Sequence, residues 1–269
     1  MNRKIGFIGA GKMAQAMIGG ILHADKVPAA NMMASAASKE TVRKVMERFS
    51  IQVTTDNKKV AKHADVLFLA IKPNLHQSII EEIKDSIKPD SLIITIAAGI
   101  SLQFLEKSFP RKVKAIRSMP NTPSLIGEGM SVLCANKFVT KEELEEVLSI
   151  YSCFGRAEVV HESLMDSIPA ISASSPAYVY MFIEALADGG VKNGLSREQS
   201  YKLAAQAVLG AAKMILETGK HPGELKDEVC TPGGATIEAV AELEKKGFRA
   251  AVLSAMEKCT EKTKALTNH

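Results

Sequence analysis

One rhythm restricts the fold more than any other feature of this chain. Over residues 1–160, short β-rich runs alternate with stretches of helical periodicity. Residues 4–8, 31–35 and 51–54 read as strands. Residues 66–71, 91–96 and 113–117 are nearly continuous apolar runs, the pattern of strands buried on both faces. Helical patterns at 12–24, 39–48, 75–87 and 101–107 fall between them. Such alternation predicts a mostly parallel sheet covered by helices. Residues 130–135 and 158–160 would add strands at the far edge, around a helix at 141–151.

After His161 the strand signal stops. Residues 176–191 are apolar at helical spacing, with Ser174 and Ser175 where an N-cap belongs and Pro176 at the first helical position. Ser196 opens a second helix that is rich in Ala and apolar nearly all round, which predicts burial and a helical partner. Gly219, Pro222 and Gly223 break the pattern, and 234–246 and 249–265 read as two more helices. The expected class is α/β, with a dinucleotide-binding type of sheet domain over 1–161 and an all-helical domain over 162–269. A length of 269 residues suits two domains at about 150 residues each.

Composition excludes several functions. The net charge is only +4 and no run of basic residues concentrates it, so nucleic acid is not an expected partner. Trp is absent and aromatics make up 5%, which leaves little for base stacking. Four cysteines stand far apart without a CxxC, and the six histidines form no HxxxH, so no metal site is expected. Reduced thiols, no apolar signal core at the start and no apolar stretch of about 18 residues predict a cytoplasmic chain without a membrane partner.

Gly9-Ala10-Gly11-Lys12-Met13-Ala14 is a GxGxxA sequence placed where a predicted strand turns into a predicted helix. In that context Gly9 allows a tight turn, Gly11 lets the backbone approach a pyrophosphate, and Ala14 lets helix and strand pack closely. The second strand ends in Ser35-Ala36-Ala37-Ser38-Lys39 and lacks the acid that usually holds the ribose 2′-OH of NAD. Ser35, Ser38, Lys39 and Arg43 would welcome a 2′-phosphate, so NADP(H) is the expected cofactor, with NAD(H) the alternative. The same residues also suit a solvated helix start capped by Ser38.

Several segments together resemble the pyrroline-5-carboxylate reductase family over nearly the whole chain. They are Ile5-Gly6-Phe7-Ile8-Gly9-Ala10-Gly11, the run from Val66 to Ile71-Lys72-Pro73, Met119-Pro120-Asn121-Thr122-Pro123, and Ala185-Leu186-Ala187-Asp188-Gly189-Gly190. The most specific is Thr231-Pro232-Gly233-Gly234-Ala235-Thr236, followed by Leu243-Glu244. The resemblance implies reduction of 1-pyrroline-5-carboxylate to L-proline by a nicotinamide cofactor. It also implies a Rossmann-type sheet domain and a helical dimerisation domain, with the substrate pocket at the contact of a homodimer that can assemble further. Cofactor positions then fall on Ile8, Gly9, Ala10, Gly11, Lys12, Met13, Ser35, Asn57, Ala70, Ile71, Lys72, Pro73, Ala97, Ala98 and Asn121. Substrate positions fall on Glu162, Gly233, Gly234, Ala235 and Thr236, with Thr231 and Thr236 in catalytic roles. The family pattern Ser-Gly-Ser-Gly-Pro is replaced here by Ser172-Ala173-Ser174-Ser175-Pro176, and Glu228 stands where some relatives carry Asn.

The residues allow an independent reading of the 231–236 loop. A helix N-terminus preceded by glycines is a site for a carboxylate, and Thr231 or Thr236 can add a hydroxyl. No His or Lys lies in the loop to protonate an imine, so Thr236 would orient the nitrogen while the proton comes from solvent or is already in place. Catalysis then rests on positioning and electrostatics. A plain inter-helix turn capped by Thr231 fits the same residues. Lys72 reads as a phosphate or ribose contact, Tyr178 as packing, Cys230 as an apolar filler, and the histidines as surface or helix-end residues. Two rivals are a β-hydroxyacid-dehydrogenase-like reductase and a non-catalytic regulatory relative. The first needs a Lys within the helix at 176–191, which has none; the second should have lost one of the two loops.

Overall fold

The computed structural model describes residues 3–267. Met1, Asn2, Asn268 and His269, which fall within the two expected domain spans, lie outside the described residues.

The first 159 residues build β1 (Ile5–Ile8), α1 (Lys12–His23), β2 (Met32–Ser35), α2 (Lys39–Phe49), β3 (Gln52–Thr54), α3 (Asn57–His63), β4 (Val66–Leu69), α4 (His76–Ile83), β5 (Leu92–Thr95), α5 (Leu102–Ser108), β6 (Lys114–Met119), β7 (Gly129–Ala135), α6 (Lys141–Tyr151) and β8 (Gly155–Val159). The eight strands form one sheet in the order β3-β2-β1-β4-β5-β6-β7-β8, and every neighbouring pair is parallel except β6 with β7. This is the doubly wound α/β topology expected from the rhythm of the sequence, with its reversal between β1 and β4.

The apolar runs divide by parity. Phe7 and Phe68 stack at 4.6 Å in paired register on one face, with Met17 of α1, Val45 of α2 and Tyr151 of α6. Ile8, Leu67, Leu69 and Ile93 point to the other face, against Val60 of α3, Ile80 of α4 and Leu105 of α5. Alternation with period two explains why both faces need helices.

Two helices were not expected. α3 reads as polar (Asn-Lys-Lys-Val-Ala-Lys-His) but starts on Asp56, whose carboxylate accepts the Lys59 amide at 3.2 Å. A cap and two buried residues, Val60 and Ala61, are enough to fix it against the sheet. The predicted helix at 75–87 is shorter, with a 3₁₀ turn at Pro73–Leu75 followed by α4.

The helical half holds α7 (Ser175–Lys192), α8 (Arg197–Thr218), α9 (Pro222–Val229), α10 (Ala235–Lys245) and α11 (Phe248–Thr267). α9 is the second unexpected helix: Pro222, read as a breaker, sits in its first turn, and His221 caps it through Nδ1. A π-helical turn at Pro169–Ala173 leads through Ser174 into α7, which starts at Ser175, so Pro176 is its second residue rather than its first. Among the described residues, 3–174 and 259–267 make one compact unit and 175–258 a second. Strands end at Val159, and the stretch that follows, up to Ser174, packs with the sheet. Within the second unit Phe182 and Phe248 meet at 6.0 Å beside an apolar groove of about 520 Å³. α8 is not buried in the single chain: Leu203, Leu209 and Leu216 are all more than half exposed. No helix among the described residues is long and apolar enough to cross a membrane.

Candidate active site

Two helix N-termini combine a glycine start with the lack of a side-chain cap, whereas α4, also without one, continues from a 3₁₀ turn at Leu75. α2, α3, α5, α6, α8 and α9 are each capped by a side chain, from Ser38, Asp56, Ser101, Thr140, Ser196 and His221. α1 and α10 each start on a glycine, Gly11 and Gly234, and no side chain caps either. Their first N–H groups are left for an anion, which the helix dipole also favours.

The first lies at the carboxyl edge of the sheet. Gly9 adopts φ +95°, and a Cβ there would stand 2.4 Å from the Ala70 carbonyl oxygen. Its N–H donates to the Ser35 carbonyl at 3.1 Å, and Ala70 N–H donates to the Ile8 carbonyl at 2.8 Å, so the turn is pinned between β2 and β4. Gln15 steadies it from behind by donating Nε2 to the Ala10 carbonyl at 2.9 Å. A Cβ on Gly11 would meet nothing within 4 Å. The open space faces a bare helix end, which fits a diphosphate, with Lys12 and Met13 supplying amides in the first turn of α1.

The sheet brings most of the other cofactor candidates to this edge. Ile8, Ser35, Leu69 and Thr95 are in lateral register, so Ser35, Ala70, Ile71, Lys72, Pro73, Ala97 and Ala98 all follow or end neighbouring strands. Asn57 opens α3 and accepts a hydrogen bond from the Ser35 hydroxyl at 2.7 Å. Asn121, after β6, is nearly buried, and both ends of its amide are used: Nδ2 donates to Ser172 O at 2.9 Å, and Oδ1 accepts from Met130 N–H at 2.8 Å. The Ser38 hydroxyl accepts the Thr41 amide as the cap of α2 and also shares a hydrogen bond with the Thr41 hydroxyl at 2.9 Å. Arg43 faces Glu47 at 3.8 Å, and Lys39 is exposed.

Glu162 stands with the same unit, at the N-terminus of α5, where its Oε1 accepts the Leu102 amide at 2.7 Å. One histidine departs from the surface role read from the sequence. His76 is fully buried, with Nδ1 3.1 Å from the Lys72 carbonyl and Nε2 2.9 Å from the Thr95 hydroxyl. Burial pulls its pKa below the ordinary histidine value. A single His one turn after a Lys-Pro pair carries no periodic signal that would have revealed it.

The second bare N-terminus belongs to the helical unit. Gly233 takes φ +66°, and Gly234 N–H donates to the Thr231 carbonyl at 3.0 Å, which closes the turn. A Cβ on Gly234 would lie 2.4 Å from the Thr231 hydroxyl oxygen. The cap reading for Thr231 is thereby corrected: no side chain caps α10, and among the described residues neither the Thr231 nor the Thr236 hydroxyl has a hydrogen-bond partner. Thr231, Gly233 and Ala235 are exposed, and Gly234 and Thr236 are half-buried. The arrangement offers amides and two free hydroxyls to a small anion.

Comparison with known proteins decides the family. The pyrroline-5-carboxylate reductase of Escherichia coli strain K12 is 48% identical over 267 residues, covering 99% of each chain. The chain belongs to the pyrroline-5-carboxylate reductase family. The model for pyrroline-5-carboxylate reductase dimerisation matches residues 162–266, and that for NADP oxidoreductase, coenzyme F420-dependent, matches residues 4–99. Among solved structures, the Plasmodium falciparum pyrroline carboxylate reductase with NADP bound is 36% identical, with a TM-score of 0.89 over 99% of this chain and 98% of that one. The reductase of Coxiella burnetii is 32% identical, with a TM-score of 0.93 over 99% of both. Against the reductase pattern, Ala173 and Ser175 replace glycines without strain, since Asp25 and Ser50 are the non-glycine positive-φ residues among those described.

Proposed function

We propose that this chain reduces the C=N bond of 1-pyrroline-5-carboxylate to give L-proline, the last step of proline synthesis, with NADPH as preferred donor and NADH as the alternative. The observation that carries this reading is the pair of glycine-started helix N-termini without side-chain caps, one in each unit. The reaction must bind two kinds of anion, a dinucleotide diphosphate and a substrate carboxylate, and each N-terminus suits one.

Bound at the sheet edge, the nicotinamide supplies a hydride to the imine carbon. The imine nitrogen gains a proton, and the C=N double bond becomes a single bond. Ile8, Gly9, Ala10, Gly11, Lys12 and Met13 would receive the diphosphate, Ser35 and Asn57 the adenosine ribose. Ala70, Ile71, Lys72, Pro73, Ala97, Ala98 and Asn121 would line the remaining strand ends, with Glu162 beside the α5 N-terminus. Gly233, Gly234 and Ala235 would hold the substrate carboxylate, helped by Thr231, and the Thr236 hydroxyl would orient the nitrogen. No His, Lys or carboxyl group lies within the 231–236 loop, so the proton is taken from solvent or is already on the nitrogen. Rate enhancement then comes from placement and fixed dipoles.

The division of labour follows 1–161 for the cofactor and 162–269 for substrate and association. Met181, Leu203 and Leu216 stand exposed on α7 and α8, and the groove beside Phe182 and Phe248 is open, which supports a second copy as their cover. The assembly is at least a homodimer, and the working compartment is the cytoplasm. α7 carries Lys only at Lys192, its last residue, which argues against β-hydroxyacid chemistry. The test is NADPH consumption by purified protein on addition of 1-pyrroline-5-carboxylate, with chiral analysis of the proline formed. No turnover with either nucleotide overturns the proposal.

A further inference from the structure

The carboxyl end of β2 is wired to an acidic residue. Glu82, exposed on α4, accepts a hydrogen bond from Asn57 Nδ2 at 3.0 Å. A carboxylate only accepts, so the amide nitrogen of Asn57 must face it, and the amide oxygen must face Ser35. The Ser35 hydroxyl therefore donates, at 2.7 Å. The Ser35 carbonyl is already taken by Gly9 N–H. Among the described residues Glu82 has no ion-pair partner, whereas its neighbour Glu81 is bridged to Lys84.

The order of donors has a consequence for the nucleotide. A 2′-phosphate is an acceptor only and carries negative charge, so it needs donors. Here the Ser35 hydroxyl and one N–H of the Asn57 amide are turned inward, and the amide is held toward Glu82. The chain of bonds ends on an unneutralised carboxylate. A ribose 2′-OH makes no such demand, since it can donate as well as accept.

We propose that Glu82 determines nucleotide specificity: by holding the Asn57 amide it opposes a 2′-phosphate at the end of β2 and keeps NAD(H) usable. The inference rests on the reading that this strand end receives the adenosine ribose. Replacing Glu82 by Gln removes the charge and offers a side chain that can also donate. The Asn57 amide is then free to turn its donor toward a phosphate.

The experiment titrates the full chain with 5′-AMP and with adenosine 2′,5′-bisphosphate by calorimetry. The two ligands differ only in the 2′-phosphate, and neither requires turnover. In Glu82→Gln the ratio of bisphosphate to AMP affinity rises about fivefold, the effect expected for one unit charge several ångströms away across a wet surface. Glu81→Gln, an equal change of charge one residue away, leaves the ratio as it is. The NADPH over NADH ratio of kcat/KM follows the binding ratio. An unchanged ratio in Glu82→Gln, or an equal rise in Glu81→Gln, overturns the inference while leaving the reductase reading intact. Failure of the unaltered protein to bind either ligand overturns the nucleotide site and the inference together.

Discussion

Nε2 of His76 lies 2.9 Å from the Thr95 hydroxyl, and this contact ties the turn after β4 to the loop after β5. The direction of every bond in the chain can be deduced. Nδ1 faces the Lys72 carbonyl at 3.1 Å, and a carbonyl only accepts, so Nδ1 carries the proton. Nε2 is then a bare acceptor and the Thr95 hydroxyl donates to it. The Thr95 oxygen in turn accepts Ala97 N–H at 3.2 Å. Two lips of the cofactor edge, at Lys72 and Ala97, are therefore held apart at a set spacing by one neutral imidazole.

That neutral imidazole gives the fold a pH dependence. Burial lowers the His76 pKa in the folded state, while in the unfolded chain it stays near 6.5. Below pH 6.5 the unfolded chain binds a proton that the folded one refuses, so stability falls as pH drops; above it this group contributes no slope. One proton bounds the slope at about 1.4 kcal/mol per pH unit. Urea unfolding from neutral pH down to pH near 5 should show the decline, and His76→Gln should flatten it. Equal slopes in the two proteins would assign the acid sensitivity elsewhere.

The two glycines of the turn separate folding from binding. Gly9→Ala places a Cβ against the Ala70 carbonyl at a positive φ, and should cost at least about 2 kcal/mol. Gly11→Val points into open space at an N-cap, and should change stability by only about 1 kcal/mol while raising the KM for NADPH by at least about tenfold. Thermal unfolding paired with KM measurements decides this. A Gly11 variant that binds NADPH normally would remove the diphosphate from this turn.

Arg117 is buried in β6 and bonds Asp166, in the stretch after β8, at 2.5 Å. Asp166→Asn leaves a buried guanidinium without its counter-charge and should cost about 3 kcal/mol, whereas Arg117→Met with Asp166→Asn should cost less than Asp166→Asn alone. Urea unfolding of both variants checks the order.

Thr236 is the residue of the helical loop most open to test. Its hydroxyl has no partner among the described residues, so Thr236→Val should leave the Tm within a few degrees. If it orients the imine, kcat/KM falls by about 10- to 100-fold, the loss of one hydrogen bond to a charged group. Unchanged kinetics with unchanged Tm would remove Thr236 from the chemistry.

Much of the sheet was legible because its strands are buried on both faces, and the continuous runs at Val66–Leu69 and Leu92–Thr95 leave no other reading. The phosphate turn was legible because glycine has a mechanical meaning between a strand and a helix. α3 was hidden because a helix of seven residues with five polar side chains shows no face, and Asp56 was its one signal. α9 was hidden because Pro222 stops a helix from within but starts one from its first turn. His76, Glu82 and Gln15 could not be read from the sequence, since each acts through a residue outside its own element: Thr95, Asn57 and Ala10. The bareness of the α10 N-terminus also needed coordinates, because Thr231 is spaced like a cap and is not one.

The central claim, direct hydride delivery to the imine carbon, is tested by turnover with NADPH carrying deuterium at both hydrogens of the nicotinamide C4. The account predicts L-proline carrying a single deuterium at the former imine carbon, its C5, at a rate that tracks NADPH loss. Proline formed without deuterium at C5, or an imine left unconsumed while NADPH is intact, would contradict it.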